Sequence, residues 1–284
     1  MAEAGATPVQ EVAFTLANAR EYVRAALSAG IAVDEFAPRL SFFFVSRTTL
    51  LEEVAKFRAA RRIWSRVMRD EFGARDPRSQ MLRLHTQTAG VQLTAQQPEV
   101  NLVRVAVQWL AAVLGGTQSL HTNSFDEAIA LPTEKAARLA VRTQHVLAYE
   151  TDVTRTVDPF AGSFVVESLT DDLEEAVLDL MARVEDLGGA VHAIERGFQK
   201  GEIERSAYTI AKEIESGYRT VVGVNRFATD DDESYEPLRV DPAIEENQAQ
   251  RLASLRADRS ADAVARALEA LRMAASGSDN VLYP

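Results

Sequence analysis

The residues best suited to chemistry stand in two similar clusters, Leu84-His85-Thr86-Gln87-Thr88 and Leu120-His121-Thr122-Asn123-Ser124. Each runs leucine, histidine, threonine, amide, hydroxyl, and each closes what reads as a short strand. Imidazoles, amides and hydroxyls with little charge around them suit holding a large polar cofactor by many hydrogen bonds, more than they suit hydrolysis. The same groups also cap turns at strand ends, and the residues by themselves leave both readings open. Other chemistries find no support. No G-x-G-x-x-G opens a helix after a strand, and no Walker lysine loop, H-E-x-x-H or G-x-S-x-G occurs. No acid-rich motif accompanies His85 or His121, so no metal site is expected. Gly115-Gly116 reads as a helix stop. Asp126-Glu127 reads either as an acid/base pair or as the start of the next helical segment.

The surrounding elements must position these clusters. Residues 7–30 read as a helix, with Thr7 as N-cap, Pro8 in the first turn and Val12, Leu16, Ala19, Val23 and Leu27 at helical spacing. "RLSFFFVS" suits a buried strand and carries Ser46 and Arg47 at its end. A helix over 49–71 follows, then strands in "QMLRLHTQT" and "TQSLHTN" and helices in "PEVNLVRVAVQWLAAVLGG" and "PTEKAARLAVRTQHVLAYET", each helix with proline in its first turn. Strict alternation of this kind predicts an α/β fold, a parallel sheet covered by helices. Ligands of such folds sit beyond the carboxyl ends of the strands, so three strands should deliver polar groups to one rim, the two clusters at equivalent heights. After residue 150 come a turn-rich connector, "DPFAGSFVVESLTDDL", helices at about 170–187 and 202–216, and a late short strand in "TVVGVNRF". An acidic stretch, "ATDDDESYEPLRVDPAIEEN", should lack regular structure, and a last helix should span 245–273.

Composition narrows the classes. The 284 residues carry a net charge of −11, which speaks against nucleic-acid and anionic-membrane partners. The basic run "KFRAARRIWSRVMR" alternates with apolar residues at helical spacing and is read as a solvated helix face. There is no cysteine, which excludes disulfides and thiolate chemistry. No apolar run reaches the roughly 20 residues of a membrane span, and the N-terminus lacks the pattern of a signal peptide, so a cytoplasmic location is expected.

The stretch "LRLHTQTAGVQLTAQQPEVNLVRVAVQWLAAVLGGTQSLHTNSFDEAIALPTEKAARLAVRTQ" resembles the coenzyme-B12-dependent acyl-CoA mutases, the methylmalonyl-CoA mutase large or catalytic chain in particular. The resemblance extends to "EAGATPVQEVAFTLANAREYVRAALSAGI", "APRLSFFF", "TVDPFAGSFVVESLT", "RVEDLGGAVHAIERGFQKGEIERSAY" and "VVGVNRF". It implies a radical isomerase built on a TIM (β/α)8 barrel, with acyl-CoA threaded along the axis and adenosylcobalamin across the carboxyl-end rim. It implies that Arg39 and Ser41 contact coenzyme A, and that Glu3, Gln87, Glu127, Ala128 and Ala130 line the cobalamin and adenosyl site, with Gln118 as a further wall residue. The substrate it implies first is methylmalonyl-CoA, then isobutyryl-CoA, 2-hydroxyisobutyryl-CoA or ethylmalonyl-CoA.

The same resemblance marks what this sequence lacks. The catalytic tyrosine–histidine pair would stand upstream of Met1, together with the first barrel strands, and no D-x-H-x-x-G supplies a cobalt ligand. The chain is thus expected to hold about the last three barrel strands followed by a helical C-terminal extension. Residues 1–150 would form a partial barrel, 151–227 a barrel-closing connector with helices, and 228–284 an acidic surface linker and C-terminal helix. Its expected partners are the missing N-terminal barrel half, a cobalamin-binding domain or subunit and an acyl-CoA, in an oligomer. Inactivity of the isolated chain follows. The contrasting expectation is a non-catalytic remnant that serves as an assembly module.

Overall fold

Thr7 caps the first helix as its type and place suggest. Its hydroxyl accepts from the Gln10 N–H at 3.2 Å, while the Gln10 side chain accepts from the Thr7 N–H at 2.9 Å. This reciprocal pair satisfies two amides that the helix cannot, and α1 (Pro8–Ser28) runs from it. The structure is a computed structural model and describes residues 1–229 and 235–283. Two units are distinguished, Met1–Pro237 and Leu238–Pro284.

In the first unit, α2 (Val33–Phe36) leads to β1 (Phe42–Ser46), and α3 (Leu50–Arg66) continues through a π turn at Val67–Glu71. Next come β2 (Leu84–Thr88), α4 (Asn101–Leu114), β3 (Ser119–His121) and α5 (Glu134–Tyr149). The three strands pair in parallel in the order β1-β2-β3. All three expected strands are therefore present, in the mixed α/β arrangement that their alternation with helices requires. Thr133 is the N-cap of α5, its hydroxyl accepting from the Ala136 N–H, so Pro132 precedes the helix instead of lying in its first turn.

The sheet has two unlike faces because successive side chains alternate. Phe42, Phe44 and Leu84 point to the helices and are buried with Phe57, Trp64 and Leu16. The Phe42 ring meets Trp64 edge-on, with centroids 4.9 Å apart. Burial of each such side chain stabilises by roughly 1.5–3 kcal/mol. On the other face Phe43 is 52% exposed, stacked on His85 at 5.5 Å, and His85 Nδ1 lies 2.7 Å from Ser119 Oγ.

Beyond α5 the connector is shorter than its turn residues suggest. Helix α6 (Phe164–Asp186) starts about six residues early, since Ser163 serves as N-cap and the apolar stripe Val166, Thr170, Val177, Leu180, Val184 packs on α1 and α3. Two further helices follow, α7 (Ala190–Glu195) and α8 (Phe198–Glu215). "TVVGVNRF" is not a strand: a single Val222–Arg226 bridge closes a turn in which the Asn225 side chain bonds the Val221 N–H and the Ile214 and Arg219 carbonyls.

The basic run is no solvated face either. Arg58 bonds Glu167 at 2.8 Å, Arg62 bonds Asp171 at 2.6 Å, and Arg62 and Arg66 share Glu174, so the run forms a ladder between α3 and α6. In the second unit the expected single helix is two, α9 (Pro242–Asp258) and α10 (Ala261–Ala275), divided at Ser260, whose hydroxyl caps the second. Of the acidic stretch, Asp230–Ser234 lie outside the described residues, and the part from Tyr235 to Asp241 has no regular structure.

Candidate functional site

The carboxyl end of the sheet gathers side chains from three places far apart in sequence. Glu3 stands in the 3-10 turn Ala2–Ala4, and its Oε2 accepts from the Val91 N–H at 2.7 Å. Gln87, one residue before the end of β2, donates from Nε2 to Asn123 Oδ1 at 3.3 Å. Asn123 follows β3 and is anchored by its own N–H on Thr88 Oγ1 at 2.9 Å. Its Nδ2 is buried and finds no hydrogen-bond partner among the described residues. Gly90 is the point on which Glu3 and Asn123 converge. A Cβ there would come within 2.8 Å of Asn123 Nδ2, 3.5 Å of Glu3 Oε2 and 3.8 Å of Glu127 Cγ. Only a residue without a side chain lets these groups approach.

Glu127 and Ala128 are exposed and Ala130 is half-buried, all in the turn between β3 and α5. That turn is not helical. Asp126 staples it shut, its Oδ2 accepting from the Thr133 N–H at 3.1 Å and from the Tyr235 hydroxyl. Burial would raise the Asp126 carboxyl, but hydrogen bonding from Ser124, Tyr235 and the Thr133 N–H together outweighs it and holds the group below the ordinary carboxylate range. The Tyr235 ring packs edge-on against Phe125, centroids 5.7 Å apart. A cleft of about 640 Å³ runs from this rim along the free edge of β3, lined by His85, Gln87, His121, Glu127, Val141 and Gln144 among others.

The remaining site residues are placed elsewhere. Arg39 and Ser41 are exposed at the amino end of β1, some 20 Å along the strand from the rim at 3.3 Å per residue. Gln118 is also at an amino end. Its Oε1 accepts from the Leu84 N–H at 2.7 Å and its Nε2 donates to the Gly116 carbonyl at 2.9 Å, so its amide holds β3 to β2. Ser46 and Arg47 turn inward: Ser46 Oγ donates to the Gln108 carbonyl at 2.8 Å, and Arg47 is buried beside Glu53.

The two histidine clusters do not stand at equivalent heights. His85 pairs with Ser119, and His121 pairs with Gln87, so the second cluster sits two residues, about 7 Å, nearer the carboxyl end. Both histidines still face the same side, because the offset is even.

Sequence reasoning missed Gly90, Tyr235 and a buried charge cluster of Glu11, Arg47, Glu53 and Lys56. A helical charge on an apolar stripe, Glu11 before Val12 and Ala13 or Lys56 before Phe57, was the available signal. In this cluster burial pushes the Glu53 carboxyl upward against the pull of Lys56 and Arg47.

Residues 1–284 match the protein-family profile described as methylmalonyl-CoA mutase. The 2-hydroxyisobutanoyl-CoA mutase large subunit of Aquincola tertiaricarbonis is 45% identical over 285 residues, covering 100% of this chain and 51% of that protein. Methylmalonyl-CoA mutase of Rhizobium meliloti is 48% identical over 284 residues, covering 99% and 40%. The mitochondrial methylmalonyl-CoA mutase of Homo sapiens is 42% identical over 284 residues, covering 99% and 38%. The chain thus spans about half or less of the curated relatives it matches. No helix among the described residues is long and apolar enough to cross a membrane. A profile match over the whole chain settles the kinship: this chain belongs to the methylmalonyl-CoA mutase family.

Proposed function

We propose that this chain is the back part of the catalytic barrel of an adenosylcobalamin-dependent acyl-CoA mutase, acting first on methylmalonyl-CoA. The observation that carries this reading is the convergence of Glu3, Asn123 and Glu127 around Gly90, with Gln87 bonded to Asn123, and with Arg39 and Ser41 at the opposite end of β1. A thread along a barrel axis needs contacts at both ends. In this reading residues 1–150 supply part of the barrel, 151–227 close it, and 228–284 form linker and C-terminal helices.

The residues present fit a large polar cofactor. Asn123 Nδ2 is a buried donor awaiting an acceptor, and Ala128 and Ala130 leave room for close approach. Bound adenosylcobalamin supplies the radical chemistry of carbon-skeleton rearrangement. Glu127 and Glu3 would serve as hydrogen-bond acceptors for such a group, and Gln87 and Asn123 as donors. Arg39 meets coenzyme A phosphate with a planar fork of donors, and Ser41 allows close packing beside it. Gln118 belongs to sheet assembly. No cobalt ligand comes from this chain, and the missing barrel half and a cobalamin-binding domain are its partners.

Isobutyryl-CoA, 2-hydroxyisobutyryl-CoA and ethylmalonyl-CoA remain the alternative substrates, since relatives with two different substrates in their names are similarly identical. Grafting residues 1–284 in place of the matched segment of the Rhizobium meliloti mutase tests the reading. The graft should isomerise one of these acyl-CoAs with adenosylcobalamin, and the isolated chain should turn over none. A folded, inactive graft, or turnover by the chain alone, would overturn it. The exposed Phe43 face favours a second reading, an assembly module, whose mark is a monodisperse oligomer without cobalamin affinity.

A further inference from the structure

Behind the rim lies the buried charge cluster, which no step of the proposed chemistry uses. Lys56 Nζ donates to Glu11 Oε2 at 2.9 Å, to Glu53 Oε2 at 2.5 Å and to the Val45 carbonyl at 2.6 Å. All three of its N–H donors are thereby engaged. The other oxygen of Glu11 accepts from the Val45 N–H at 2.7 Å. Both backbone polar groups of Val45 are therefore bonded by side chains, on the edge of β1 that β2 does not occupy. A neighbouring strand ordinarily fills that place. Here α1 and α3 fill it with one carboxylate and one ammonium group.

Two contacts carry this clamp forward to the rim. The Val45 side chain packs with Ala2 and Ala89, the residues immediately before Glu3 and Gly90. Arg47 donates to the Ala6 carbonyl and so ties down the far end of the segment that bears Glu3. Apolar side chains of equal volume commonly replace buried ion pairs at no loss of stability, so stability alone gives little reason for four charges here. What charges add is direction, because each hydrogen bond fixes an angle as well as a distance.

We propose that Lys56 is the positioning residue of this rim: with Glu11 it clamps the Val45 peptide, and through Val45 it sets Ala2 and Ala89, hence the Glu3 carboxylate against the Val91 N–H. The catalytic meaning of the rim rests on the mutase reading, whereas the positioning does not.

Amide hydrogen exchange in the intact 284-residue chain tests it, with no turnover assay involved. Lys56→Met is compared with Val177→Ala, a cavity in α6 that weakens the same core without touching the cluster. At matched global stability, Lys56→Met should speed exchange of the Val45 and Val91 amides about ten-fold more than the control, as expected for the loss of one charge-assisted hydrogen bond. In a Glu3→Ala background the Lys56→Met effect at Val91 should vanish. If the two variants speed Val91 equally, the cluster is merely structural and the proposal falls. It falls too if Lys56→Met still speeds Val91 when Glu3 is alanine. Should Lys56→Met not fold, Glu11→Gln carries the same comparison: it keeps an acceptor for Val45 but weakens the hold of Lys56, and about three-fold is expected. Loss of the mutase reading would leave these outcomes unchanged.

Discussion

The two faces of the small sheet are built from the same three strands and differ in nearly everything else. On the helix side Phe42, Phe44 and Leu84 are packed against Trp64 and Phe57 with no space left. On the opposite side Phe43 is stacked on a histidine and remains 52% exposed, beside Ser119 and His121, which are open to solvent. One face is a finished core. The other carries imidazole, hydroxyl and amide groups and an aromatic ring left half in water. The difference teaches that stability and site are separated by a single strand's alternation.

Paired substitutions would break this contrast most directly. Trp64→Ala on the packed face should cost about 3–5 kcal/mol in urea unfolding, while Phe43→Ala on the open face should cost less than about 1 kcal/mol. Equal losses would mean that the open face is itself core. Lys56→Met tests the layer between them. It strands the Glu11 and Glu53 carboxylates, and a loss of about 3–5 kcal/mol is expected, measured the same way. A much smaller loss would show that the cluster is hydrated.

At the rim, Gly90→Ala brings a methyl group within 2.8 Å of Asn123 Nδ2, and about 1–3 kcal/mol should be lost, along with cobalamin affinity in the Rhizobium graft. Unchanged affinity would separate Gly90 from the site. Tyr235→Phe should have the smallest effect, about 0.5–1.5 kcal/mol near neutral pH, and it carries a pH signature. Asp126 is held below its ordinary value of 3.8, so its contribution is complete above that value and is lost as pH falls through the folded pKa. Removing the Tyr235 hydroxyl should therefore flatten the acid limb of stability against pH. An unaltered limb would assign that limb to other carboxylates.

Local rules made much of this legible. Thr7 with Gln10 three residues on, the apolar run Phe42–Val45 and the glycine pair after α4 each announce their structure, because capping, burial and chain reversal depend on near neighbours. Longer reach was hidden. Ser260 splits the last helix because it can cap one, and Asn225 closes a turn with side-chain bonds that outcompete strand pairing. Neither competition has a periodicity to read. At the site, Gln87 was visible as a polar residue close to a strand end and Glu127 through the family resemblance, whereas Tyr235 was not, its hydroxyl reaching Asp126 across more than a hundred residues.

Sequence alone determined the alternation of strand and helix and the polar character of the two histidine clusters, since spacing along the chain suffices for these, while the long stretches around the clusters carried the family resemblance. Tertiary structure alone decided that the clusters stand about 7 Å apart in height, that Gln118 serves the sheet, and that Lys56 is buried behind Val45. Those outcomes depend on register between strands and on packing between helices, and both are settled by groups remote in sequence that compete for the same space and the same hydrogen bonds.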